Sequence, residues 1–238
     1  TVSNASGSLS LTAGGAVSLP TLSNDKGSVT LTAAGAYTGT TVSNASGTLS
    51  LTAAGALSLP TLSNGTGTAT VSASGKGTLS SVSNAGGTLS LTTGGATSVD
   101  ALSSTSGSVT LTLGGASTLG EVRQKDGSLK ATVAGDLVLG PTVVEAGTAS
   151  VQATGIGTLS TVSNGSAITA LSLGGAVTAQ SVSNASGSLS LTAGGAVSLP
   201  TLSNDKGSVT LTAAGAYTGT TVSNASGSLS LTAGGAVS

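Results

Sequence analysis

A glycine stands at the fifteenth place of every twenty-residue unit of this chain, from Gly15, Gly35, Gly55, Gly75 and Gly95 to Gly235, without exception in twelve units. Around it the units say nearly the same thing: TVSNASGSLSLTAGGAVSLP at 1–20 is followed by TLSNDKGSVTLTAAGAYTGT at 21–40. A period this short leaves room for one supersecondary unit per repeat. Such a unit cannot bury its apolar face alone and has to stack on its neighbours, so the chain is expected to be a solenoid.

Within the first unit, Gly7 to Ala13 alternates polar and apolar residues. That is the two-residue period of a strand with one face buried, and a 3.6-residue helical stripe is absent. Leu9, Leu11 and Ala13 are expected to point inward, as are Val29, Leu31 and Ala33 one unit later, while Ser8, Ser10 and Thr12 point out. Gly14-Gly15 reads as a corner at which the backbone takes positive φ. A break in parity between Leu19 and Leu22 reads as a second corner, at Pro20-Thr21. Ser23-Asn24-Asp25-Lys26-Gly27 reads as a third, with Asn and Gly tolerating left-handed conformations. Three corners imply a three-sided coil. Asparagine holds the fourth place in nine of the twelve units, among them Asn4, Asn24 and Asn44, and stacked coils should join these amides into a ladder. The expected fold is therefore all-β: a right-handed, single-stranded parallel β-helix of about 20 residues per coil and about 12 coils, one continuous domain over 1–238. At about 4.8 Å per coil it would be a rod of roughly 55 to 60 Å.

Composition removes most chemistry. There is no His, Cys, Met, Trp or Phe, and charged residues make up 5% of the chain. Thiol nucleophiles, histidine-dependent triads and Cys/His metal sites are unavailable. The expectation is a non-enzyme with no cofactor and no small-molecule substrate. A net charge of −1 with six scattered basic residues offers nothing to neutralise phosphates, so no nucleic-acid partner is expected. No apolar run reaches membrane-spanning length, and Thr1 opens directly on a repeat without a signal peptide. Residues 2–40 recur identically at 182–220, and 1–18 at 221–238. Recent duplication or deliberate construction would produce that, and further coils are expected on either side.

The pattern Gly-(Ser/Thr)-Leu-x-Leu-Thr-Ala-(Gly/Ala)-Gly-Ala-(Val/Leu), as in Gly7–Val17, Gly47–Leu57 and Gly187–Val197, followed by a Leu-Ser-Asn step, resembles the haemagglutinin-type repeats of filamentous haemagglutinin and related large exoproteins. The resemblance runs the length of the chain. It implies the shaft of a two-partner secretion exoprotein, passed unfolded through an outer-membrane transporter and placed outside the cell or on a bacterial surface as an adhesin. Its partner would be a host-cell receptor or glycan, bound through regions that lie in part outside this segment. The family's amino-terminal secretion domain, with its Asn-Pro motifs, has no counterpart here, so the resemblance speaks to the shaft only.

Against this regularity, units seven and eight stand out. Glu121, Arg123, Lys125, Asp126, Lys130, Asp136 and Glu145 gather three of the six basic and four of the seven acidic residues. Arg123, Lys125, Asp126 and Lys130 form a candidate surface patch, either a binding surface or a groove of the pectate-lyase type. Alternatively they are the outward charges of two diverged coils that prevent slippage and lateral association. The outward columns Ser8-x-Ser10-x-Thr12 and Ser28-x-Thr30-x-Thr32 admit a reading from another class, an ice-binding hydroxyl lattice, although Lys130, Gln152 and Ala170 interrupt it. A purely structural filament, or an engineered solenoid, is the remaining reading. Tyr37 and Tyr217 share an inward column and are expected in the core.

Overall fold

The computed structural model describes residues 1–238 as thirty short β-strands without a helix. Each strand pairs in parallel with those one coil before and after it, always at a shift of 20 residues: Leu9 pairs with Val29, and Val29 with Leu49. The chain is a β-solenoid of twelve coils. One strand per coil, from Ser8–Ala13 to Ser228–Ala233, builds a twelve-stranded sheet, and the other eighteen strands form a second sheet covering the remaining two sides.

The alternation dictates which residues close the core. In the third coil Val42, Leu49, Leu51, Ala53, Leu57 and Leu59 are all buried, while Thr48 and Thr52 on the same strand as Leu49 face solvent. Stacked through the rod, these columns merge into one cluster of 53 buried apolar residues. Leu9 and Leu11 point the same way but are only half-buried, because they sit in the first coil with a neighbour on one side alone.

The corners differ from expectation in cause. The Gly15 column has no positive φ anywhere, so conformational freedom does not explain it. Close stacking does. A Cβ at Gly35, Gly55, Gly75 or Gly95, and at every later member of the column, would come within 2.7 to 3.1 Å of the backbone nitrogen of the sixteenth residue one coil earlier. Gly15 itself, with no coil before it, would meet nothing within 4 Å.

At the Asn-x-x-Gly corner no asparagine is left-handed, because the asparagines point into the core. Positive φ occurs only at Gly7, Gly107, Gly127 and Gly147. The corner expected at Pro20-Thr21 is softer than the other two. In several coils a single strand runs through it, as in Gly77–Asn84 and Val177–Asn184, and two successive outward residues, Ser80 and Ser81, mark the bend.

Candidate functional surfaces

The most ordered polar feature lies inside the rod. Asn24, Asn44, Asn64 and Asn84 are each 1–2% exposed. Nδ2 of each asparagine from Asn4 onward donates to Oδ1 of the next coil's asparagine: Asn4 to Asn24 at 3.0 Å, Asn24 to Asn44 at 2.8 Å, Asn44 to Asn64 at 2.9 Å and Asn64 to Asn84 at 2.8 Å. The same nitrogen donates to the carbonyl three residues on, as in Asn44 to Gly47 at 2.9 Å, and so ties down the corner. All amides point the same way along the rod, so each bond polarises the next.

The ladder stops after Asn84, because Ser104, Gln124 and Val144 follow it, and restarts at Asn164, which donates to Asn184 at 2.6 Å. Val144 has no donor for Asn164, and Thr169 supplies one: its hydroxyl donates to Asn164 Oδ1 at 2.8 Å. Thr169 is 2% exposed in a column otherwise filled by Leu, Val and Ala. Gln124 Nε2 copies the corner contacts of asparagine, donating to Gly127 O at 3.0 Å and to Thr148 O at 2.8 Å, while its Oε1 is buried without a partner.

Other core substitutions are matched by neighbours. Tyr37 and Tyr217 are buried, and each phenol reaches back to a carbonyl, Leu19 O at 3.3 Å and Leu199 O at 3.4 Å. Room for the rings comes from Gly39 and Gly219, where a Cβ would come within 2.9 Å of the tyrosine ring. Burial pushes the Tyr37 hydroxyl up to about 12 and raises that of Tyr217. The polar pair Thr93 and Thr97 shares a hydroxyl–hydroxyl bond of 2.5 Å beside Gly77. Thr169, Gly39 and Gly77 escaped the sequence reading; the available signal was a polar residue or a glycine in a column of aliphatics.

On the outside, the four candidate patch residues are exposed but do not converge. Arg123 Nε meets Glu121 Oε1 at 3.2 Å on one side of the coil, with both side chains more than half exposed. Lys125 and Asp126 lie at the corner, where Asp126 Oδ1 accepts from the Gly127 amide at 2.7 Å. Lys130 stands beyond that corner on the outer face of Ser128–Val133, in another sheet. The coils around them also carry Val138, Ile156 and Ile168, which are 46%, 53% and 60% exposed.

The outer face of the twelve-stranded sheet is chemically uniform in coils one to six. All eighteen of its outward strand positions, from Ser8 to Thr112, are Ser or Thr. Lys130, Gln152, Ile168 and Ala170 then interrupt the rows. One apolar recess lies at the open end of the first coil, between Val2, Leu11, Val17 and Leu19. No three carboxylates gather closely enough to hold a metal ion. No family model matches the chain, and no curated protein or solved structure matches it either.

Proposed function

We propose that this chain is a length of the shaft of a large bacterial adhesin, secreted or displayed at the cell surface, whose work is to hold a binding region at a distance. The observation that carries the reading is the unbroken twenty-residue register through all twelve coils, which yields an extended body with no inserted loop or cleft. The repeat pattern of filamentous haemagglutinin-like exoproteins supports it. So does the composition, since a cysteine-free chain almost without aromatic rings suits passage in unfolded form through an outer-membrane transporter. A host receptor or glycan would then be met mainly beyond the shaft, and the shaft would catalyse nothing.

The test is to replace residues 121–160 in the native gene by two regular coils of equal length, and in a separate strain to delete two regular coils. Adhesion that survives the replacement but weakens on shortening supports a spacer. Adhesion lost on replacement alone would move the binding role to the Arg123, Lys125, Asp126 and Lys130 region.

The eighteen-position hydroxyl face favours one second reading, ice binding. Its rows repeat at about 4.8 Å between coils and about 6.5 to 7 Å along each strand. Thermal hysteresis by purified chain, abolished by Thr92→Lys, would establish that function instead; its absence leaves the shaft and a plain structural filament.

A further inference from the structure

We infer that the sixth to eighth coils form a yield seam, where the rod opens before it opens anywhere else in its interior. Four independent features fall there together. First, the amide ladder that links coils one to five and coils nine to twelve is missing. Asn84 Nδ2 turns instead to Ser106 O at 3.0 Å, and between Asn84 and Asn164 no side-chain amide bonds another; Gln124 Nε2 reaches only the backbone, at Gly127 O and at Thr148 O of the next coil. Second, the backbone loses corner bonds. The sixth residue's amide donates to the carbonyl one coil and one residue back in every coil from the second to the twelfth, as in Lys26 to Ala5 and Ser166 to Glu145, except at Asp126 and Ala146.

Third, the corner glycines of these three coils, Gly107, Gly127 and Gly147, have swung to φ of 78–84°, a conformation that no other coil after the first adopts. Fourth, Pro141 lacks the amide by which Thr41, Thr61 and Ser81 bond the coil before them at 2.7–3.0 Å. The buried Gln124 Oε1 without a partner adds an unpaid desolvation to the same interfaces. Coil interfaces in a solenoid contribute nearly independently, so cohesion removed at neighbouring interfaces localises opening to them. The asparagine coils on either side hold together, and Thr169 seals the first of them on the far side by capping Asn164.

Hydrogen exchange of the whole chain, corrected for intrinsic rates, tests this directly. Peptides within 121–150 should exchange about tenfold faster than those within 45–70, as expected when a few hydrogen bonds are lost from a local opening. Native-state trypsin should cut at Arg123, Lys125 and Lys130 before Lys76. In S104N/Q124N/V144N, where the ladder can run through, the exchange difference should fall to about twofold or less. Seam peptides that exchange as slowly as 45–70 in the unaltered chain would overturn the seam, and a gap that persists in a folded triple variant would overturn its assignment to the ladder.

Discussion

Thr169 shows how a single residue keeps a repeat array consistent when a repeat fails. A buried carbonyl oxygen left unpaired costs about 1–3 kcal/mol, and Val144 creates that debt at Asn164 unless the Thr169 hydroxyl satisfies it. Thr169→Val should therefore destabilise the chain by about that amount. Adding Val144→Asn should recover most of the loss, because its Nδ2 would supply the missing donor. Chemical denaturation of the four members of this cycle reads the coupling, and strict additivity would show that the two sites do not communicate.

Tyr37 supplies a second prediction at this scale. Its hydroxyl ionises at about 12 in the folded chain against about 10 when unfolded. The raised value contributes stability that is fully present below pH 10 and is lost as pH climbs from about 10 to about 12, since the unfolded chain releases its proton first. Tyr217, raised in the same direction, adds to the slope. A Tyr37→Phe/Tyr217→Phe chain should keep a flatter melting temperature across that window. The asparagine ladder was legible from the sequence because nine units repeat it. The Thr169 cap was not, because it joins the ninth place of one coil to an amide whose need arises from a different coil's valine.

At the scale of the element, alternation was enough to place strands, since every inward position of Thr48–Ala53 or Ser108–Leu113 is apolar and burial follows the two-residue period. The corners were located but not explained. The invariance of the Gly15 column looks like a demand for positive φ. It is instead a demand for space, which depends on the coil beneath and is invisible within one unit.

The open end of the rod provides the contrast. Gly115→Ala would drive a Cβ to 2.8 Å from the Ala96 nitrogen, whereas Gly15→Ala meets nothing. Overpacking of this kind costs about 1–3 kcal/mol, so Gly115→Ala should lower the melting temperature by several degrees and Gly15→Ala should leave it within about a degree. Equal effects would return the explanation to backbone conformation. The candidate patch failed to assemble for a similar reason. Arg123 and Lys130 are seven residues apart in one coil, and the corner between them sends their strands into different sheets.

For the whole molecule, elongation carries no penalty in burial. The chain exposes 9139 Å², close to the roughly 9,200 Å² expected of a compact protein of 21.7 kDa, because each inner coil is covered above and below and its outward side chains are short. Stability therefore resides in contacts between adjacent coils, and what matters to the fold is register rather than length. Removing residues 41–80 takes out two whole coils and seats the fifth coil on the second, with Asn24 beneath Asn84 and Leu31 beneath Leu91. Removing residues 41–70 deletes fewer residues but follows Thr40 with Val71, half a coil out of phase, so most inward columns behind the junction meet outward ones, and the asparagine column meets a corner. The forty-residue deletion should retain a cooperative melt and shorten the particle by about 10 Å in small-angle scattering, two coils at about 4.8 Å each. The thirty-residue deletion should broaden or abolish the melt. Were the smaller deletion the better tolerated of the two, in-phase stacking could not be what holds these coils together.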